Sequence, residues 1–450
     1  MPMAKYTDRE AFIPFTRRDV LELCLEDGRL SPEQAGEFRR FAEILAAYKH
    51  FEYQQSIEKL KESFVLFNPD ANTRPVRQYG PDDTERLKND LVTAFERVLR
   101  NANYTPVTRA ELEEAFMLDA LIKLRTKVDF ADFDLMLIYA RGRTKQTVEL
   151  PRLIGTKKME IDNFDRVVAV LKFKEENHFR QKKRKLADLQ FQPGKVYVYL
   201  YKNIPKYDLE TVFPNLETRM MLRDRLLFGV PAAAAVGSVI VRSVSRLALI
   251  VGMALILLFG AEVAKTKFNI NEELTTMDFV KFWAAMSSLM LGLGAVAFRQ
   301  WSSYRTKKLR FQKIITETLF FKNIATNSSV FHAVSDAAEE EECKEMILVY
   351  YHLLTSPQPL TADELDDAIE AWFDQKMGVK VDFDIDHTIE CLRQVHARLP
   401  EPSRAGALEE TALLRCDASG VCQALPLREA NRLIDFLWDD FFSYSNAVTA

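Results

Sequence analysis

The chain is poor in cysteine, with five in 450 residues, which excludes a disulfide-built scaffold. It lacks a large excess of either charge. Lys and Arg total 61 against 65 Asp and Glu, a net charge of -4. A protein that coats nucleic acid carries a strong basic excess, so that class is excluded. Several catalytic signatures are also missing. There is no phosphate-binding glycine loop of the P-loop or dinucleotide type, no His-Glu-x-x-His, no Gly-x-Ser-x-Gly and no Cys-x-x-Cys pair. The six histidines are scattered, and no nucleophile–base arrangement is legible in one dimension. Residues 1–20 hold no apolar stretch of signal-peptide length, and Asp8, Glu10 and Asp19 interrupt any acid-poor transit peptide. The expectation is retention in the compartment of synthesis, with Cys24, Cys343, Cys391, Cys416 and Cys422 as thiols.

What is present is 48% hydrophobic residues, enough for packed cores over about three domains at roughly 150 residues each. The apolar residues are densest between Leu226 and Phe298, in runs at 226–241, 247–261 and 282–298. Arg242 and Arg246 separate the first two. An arginine at mid-membrane costs roughly 2.5–3.5 kcal/mol on insertion scales, which shifts the expected spans to 247–264 and 280–298. The run 226–241, with Pro231, reads as a third span, a re-entrant helix or an interfacial helix. Basic flanks lie before the spans (Arg219, Arg223, Arg225, Arg242, Arg246) and after them (Arg299, Arg305, Lys307, Lys308, Arg310, Lys313). They predict a hairpin with both termini cytoplasmic.

The fold class expected is therefore an α+β membrane-anchored protein. It has a helical N-terminal region (1–128), a small α/β domain (129–215), a membrane region (216–308), a helical connector (309–355) and a winged-helix-like C-terminal domain (356–450). Helix periodicity appears in Phe38, Phe41, Leu45 and Tyr48, and in Ile57, Leu60, Phe64 and Phe67. Capping-box spacings at Ser31/Gln34, Asp82/Glu85, Thr108/Glu111 and Thr361/Glu364 mark helix starts. Val196, Val198 and Leu200 alternate with Tyr197, Tyr199 and Tyr201, as in a half-buried strand. A turn at Asp417–Gly420 predicts a hairpin between 412–414 and 421–425. Between Thr361 and Pro400 four basic residues face ten acidic ones, so this winged helix would repel phosphates and is not expected to bind DNA.

Charge runs supply the candidate sites. Arg180, Lys182, Lys183, Arg184 and Lys185, with Arg305, Lys307, Lys308 and Arg310, could meet anionic lipid headgroups, each basic residue contributing about 1 kcal/mol at such a surface. The bland reading is a solvated loop. His332, Asp336 and Glu340 share a helical face and are candidate metal ligands, against the commoner reading of a solvated ion-pair face. In Asp382–Asp386 the EF-hand pattern fails, because His387 and Arg393 stand where Gly and Glu belong; helix N-capping explains the aspartates.

Several phrases together carry a family resemblance. They are Phe12-Ile13-Pro14 with Thr16-Arg17-Arg18-Asp19, Asn101-Ala102-Asn103-Tyr104, and Lys127-Val128-Asp129-Phe130 with Phe133. The run Tyr201-Lys202-Asn203-Ile204-Pro205 follows, then Asp208-Leu209-Glu210 and Phe213-Pro214-Asn215. After the apolar region come Ala337–Glu342, Lys344-Glu345 and Leu365-Asp366. The set resembles the transmembrane protein 143-like family, a domain-of-unknown-function family of bacteria and organelles. The resemblance implies a membrane-anchored protein of no established activity and supplies no catalytic residues. A bacterial inner-membrane location fits it best.

The function expected is a non-enzymatic anchored scaffold. Its partners would be membrane lipids and either a protein or further copies of the chain, with no nucleic acid and no cofactor. Lys202, Asn203, Pro205, Asp208 and Glu210 would couple the α/β domain to the membrane. The alternatives are a membrane-bound metal-dependent hydrolase, or a subunit of an oligomeric channel or transporter.

Overall fold

The computed structural model describes residues 12–218 and 321–439, except 74, 123–125, 152–155, 190, 383, 401–407 and 419, together with scattered residues between 280 and 320. The chain divides into two compact units. The first comprises Met1–Phe116, Asp129–Pro214 and Lys322–Ala450; the second comprises Met117–Val128 and Asn215–Phe321.

The first unit opens with helix α1 (Arg17–Glu26), whose free N–H at Asp19 is taken up by the Thr16 hydroxyl at 3.2 Å. Helix α2 (Pro32–Phe64) starts at a full capping box between Ser31 and Gln34, with proline at its first position. Its buried stripe is Phe38, Phe41, Leu45, Lys49, Tyr53, Ile57, Leu60 and Phe64, a spacing of three or four that keeps one face inward. Helix α3 (Pro81–Asn101) buries Leu91, Phe95, Val98 and Leu99. It begins at Gly80 with Asp83 as the acceptor, not at the expected Asp82/Glu85 pair. Helix α4 (Arg109–Ile122) has the expected Thr108/Glu111 start.

A five-stranded antiparallel sheet follows. Strands β1 (Thr105–Pro106), β3 (Phe133–Pro151), β4 (Thr156–Phe173), β5 (Val196–Pro205) and β7 (Asn323–Thr326) lie side by side in that order. In the second unit, β2 (Thr126–Lys127) pairs with β6 (Glu217–Thr218). Short helix α5 (Glu176–Gln181) lies between β4 and β5. One sheet face, through Tyr139, Val168, Val170, Val198 and Leu200, packs on Leu91, Phe95, Phe331 and Val334.

Helix α6 (Ser328–Thr355) is the centre of the unit and is buried through most of its second half. Beyond it come β8 (Leu360–Thr361), α7 (Ala362–Met377), α8 (Ile385–Gln394), strands β9 (His396–Pro400), β10 (Leu408–Ala412), β11 (Leu414–Cys416) and β12 (Val421–Ala424), and α9 (Leu427–Asp439). Helix α7 has the Thr361/Glu364 capping box and stops at Gly378, whose φ of 64° is the left-handed conformation glycine tolerates. Strands β11, β12 and β8 form one small sheet, and β9 and β10 a further hairpin that the sequence pattern did not reveal. Apolar residues of α1, α2, α6, α7, α8 and α9 close into one core.

Two expectations need correction. The structure is a mixed α/β fold with an antiparallel sheet, and the expected membrane anchor and multi-pass inner-membrane location are overturned. Among the described residues, no helix is long and apolar enough to cross a membrane. Of the longest described helices, α2 carries charged residues through its length and turns an apolar face onto protein, and α6 carries seven charged residues between Asp336 and Glu345 and is buried against protein beyond them. The apolar runs at 226–241 and 247–264 lie outside the described residues, as do many positions of 280–298. The second correction concerns cysteine. Cys416 and Cys422 face each other across the β11–β12 pair and are bonded, while Cys24, Cys343 and Cys391 are free thiols. Direct cross-strand neighbours have Cβ atoms close enough for this.

Candidate functional site

The acidic run on α6 is not a solvated face. Glu341, Glu342, Lys344 and Glu345 are all buried. A buried charge is tolerated only with partners, and each has them. The Lys344 ammonium donates to Ile13 O at 2.7 Å, Phe15 O at 3.1 Å and Glu341 Oε1 at 2.7 Å, which uses all three of its protons. Glu341 accepts in turn from the Ile13 N–H at 3.1 Å, and Glu340 from the Arg17 N–H at 2.6 Å. The run thus holds the segment leading into α1. Two of the phrases that carried the family resemblance meet here.

Glu342 points the other way, toward α2 and α8. Lys49 Nζ lies 2.8 Å from its Oε1, and the Tyr53 hydroxyl donates to its Oε2 at 2.5 Å. Asn101, at the end of α3, donates to the Tyr53 oxygen at 3.0 Å. Lys49 also pairs with Glu52 at 2.9 Å. On α8, His387 Nε2 lies 3.6 Å from Cys391 Sγ. The ligand atoms of Glu342, His387 and Cys391 all fall within 4.8 Å of one another.

The electrostatics follow from this packing. Burial alone would raise the Glu342 carboxyl. The Lys49 charge and the hydrogen bonds from Lys49, Tyr53 and Cys391 outweigh it and hold the group below the ordinary glutamate range. For Lys49, burial alone would lower the ammonium, but the charges of Glu342 and Glu52 keep it above its ordinary range. Burial first, and then Glu342, push the Tyr53 phenol and the Cys391 thiol well up, so both stay protonated. Glu345 is raised to about 8, by burial first and then by the charge of Glu341.

Above this floor opens a cleft of about 700 Å³. Helices α2 and α3 contribute Lys59, Arg97 and Arg100 to its lining; α8 and its cap contribute Asp384, His387, Glu390 and Cys391. No carboxylate partners Lys59, Arg97 or Arg100 among the described residues, and all three are exposed. The α2–α3 wall therefore presents these three cations beside the Lys49–Glu52 pair, and the α8 wall offers acids, an imidazole and a thiol. Clefts of this size with a few convergent polar groups are where small molecules bind.

The residues singled out from sequence lie elsewhere. His332 and Asp336 are exposed on α6, and Glu340 holds Arg17. Of the basic run, Lys182 reaches the buried Asp132 at 2.5 Å and Asp129 at 2.8 Å, Arg184 reaches Asp132 at 3.5 Å, and Arg180 pairs with Glu176. Lys183 and Lys185 stay exposed. Arg305 lies over the Trp301 ring at 5.3 Å in the second unit, whereas Lys307, Lys308 and Arg310 lie outside the described residues. Lys202 and Asn203 are exposed at the end of β5, Asn203 in the left-handed region at φ 51°. Pro205 and Glu210 are buried nearby, and the Asp208 side chain is outside the described set. Asp384 caps α8 by accepting from the His387 N–H at 3.3 Å, as expected for that aspartate cluster.

Sequence reading missed Lys49, Tyr53 and Glu342. A signal existed: Lys49 sits in register in the apolar stripe of α2, where only a paired lysine can stay.

A protein-family model described as "Protein of unknown function (DUF3754)" matches residues 164–329. No solved structure matches the chain. The matched segment runs from β4 to the start of α6. It includes none of Lys49, Tyr53, Asn101, Glu342, His387 or Cys391; it covers strands of the sheet and the 215–321 segment of the second unit, and not the cleft.

Proposed function

We propose that the protein is a ligand-binding protein whose cleft over Glu342 takes a small molecule carrying a phosphate or carboxylate group. The observation that supports this is the wall formed by Lys59, Arg97 and Arg100, three cations without carboxylate partners among the described residues, facing a cleft of about 700 Å³. Guanidinium groups are suited to paired contacts with such anions. The buried Lys49–Glu342–Tyr53 network gives the cleft a fixed floor. Calorimetric titration of the full chain with inorganic pyrophosphate is the test. Saturable binding that Arg97→Ala with Arg100→Ala removes supports the reading; no heat in the wild type, or equal binding by the variant, overturns it.

A second reading, a scaffold for a protein partner, is favoured by the second unit. There Trp283, Met290, Leu291, Phe298 and Trp301 each expose at least 54% of their surface, more apolar surface than isolated exposed residues provide. Cross-linking of the full chain in cells tests it: adducts mapping to these residues are expected, and their absence counts against the scaffold. Kinship with the transmembrane protein 143-like family is proposed on the phrases quoted above, and grouping of full-length sequences tests it.

A further inference from the structure

We propose that Glu342, His387 and Cys391 bind one divalent transition-metal ion of the zinc class at the floor of the cleft. The inference deepens the ligand-binding reading and rests on it for access from solvent.

Three observations carry it. First, His387 and Cys391 are four residues apart on α8, so both side chains leave the same helix face. Second, their ligand atoms are 3.6 Å apart. A tetrahedral zinc with bond lengths of about 2.3 Å to sulfur and about 2.0–2.1 Å to nitrogen has an S–N edge of about 3.6 Å. The Glu342 carboxylate joins them from α6, within 4.8 Å of both. Third, the donor set of thiol, imidazole and carboxylate selects a borderline metal over magnesium or calcium, which take oxygen ligands.

Charge and lone pairs are consistent with this. The carboxylate oxygens of Glu342 accept from Lys49 and Tyr53, and each has a second lone pair. Binding exchanges the S–H bond of Cys391 for a sulfur–metal bond, and the proton passes to water in the cleft. The ion's two positive charges with Lys49 are balanced by Glu342, the Cys391 thiolate and Glu52, which already pairs with Lys49. Three protein ligands leave a coordination position on the cleft side, the arrangement of reactive rather than structural zinc sites.

A weak S–H to imidazole hydrogen bond would also place Cys391 beside His387, so the test must separate the two. The full chain is stripped with chelator and titrated with cobalt(II), then zinc. The expected result is one equivalent bound, with a near-ultraviolet sulfur-to-cobalt charge-transfer band. Cys391→Ser should abolish the band and weaken zinc binding more than about 100-fold, with the melting temperature near that of the wild type. If that variant fails to fold, His387→Gln, altered at a half-buried position, should weaken zinc binding to a similar degree. A wild type without the band, a band unchanged in Cys391→Ser, or zinc binding unchanged in His387→Gln overturns the inference. Pyrophosphate titration of the stripped protein separates the two proposals. Pyrophosphate binding without metal binding removes the metal site alone; metal binding without pyrophosphate binding supports the metal site and removes the anion reading alone.

Discussion

The Thr388 hydroxyl lies 3.1 Å from Glu345 Oε2 and 3.1 Å from the carbonyl oxygen of Asp384. It has one proton to give. The Thr388 hydroxyl donates to Glu345 and to the Asp384 carbonyl, its single proton shared between the two acceptors. Burial first, and then the charge of Glu341, raise Glu345 to about 8 against these hydrogen bonds. Its second oxygen accepts from Asn103 at 3.3 Å. Glu345 therefore joins α6 to the start of α8, one turn from Glu342.

The consequence for stability has a definite sign. Between the ordinary glutamate value of 4.5 and about 8, the folded state holds a proton that the unfolded chain has lost. Stability from this group is fully present below 4.5 and falls as pH rises to about 8. Glu345→Gln keeps hydrogen-bonding groups toward Thr388 and Asn103. Denaturant unfolding across pH 4–9 should show a shallower decline in the variant and a more stable variant at the alkaline end. Parallel curves would show that Glu345 is already ionised in the native state.

The Lys49–Glu342 pair is buried on both sides. Removing one partner leaves the other charged and uncompensated, at a cost of about 3–5 kcal/mol. Lys49→Met should lose that much in urea melts, and Lys49→Met with Glu342→Leu should recover most of it. Because the folded Glu342 carboxyl is held below its ordinary range, the pair's contribution is present above that range and lost as pH falls through the folded value. A single variant within 1 kcal/mol of wild type, judged against the usual size of surface effects, would show the pair to be solvated.

Asp132 is fully buried and gathers His178, Lys182 and Arg184. Asp132→Ala should destabilise by about 1–3 kcal/mol, the range for leaving donors unmatched. It should also speed tryptic cleavage within 180–185. Unchanged cleavage would mean that the basic run is not held by this aspartate.

Thiol titration of the unreduced, denatured chain should count three reactive cysteines, Cys24, Cys343 and Cys391. After reduction the count should be five. Five before reduction would show that Cys416 and Cys422 are unbonded in the protein as isolated.

Local signals were legible where local physics decides. The Val196–Tyr201 alternation became a strand buried on one side, and Ser31/Gln34 and Thr361/Glu364 became full capping boxes. The acidic run on α6 misled because a helix buried on every side has no amphipathic period, so burial leaves no trace in its pattern. Its partners are remote. Ile13 lies 328 residues from Glu341, and Tyr53 lies 289 from Glu342. His387 and Cys391 have ligand spacing, but without Glu342 that spacing means little, and only the fold brings α6 beside α8.

The central claim is that the cleft between α2, α3 and α8 is where this protein meets its ligand. Amide hydrogen exchange of the full chain, with and without saturating pyrophosphate, tests it most directly. Protection should concentrate in peptides covering 49–59, 97–103 and 384–394 and vanish with Arg97→Ala and Arg100→Ala. No protection, or protection confined to peptides that line no part of the cleft, would contradict the account.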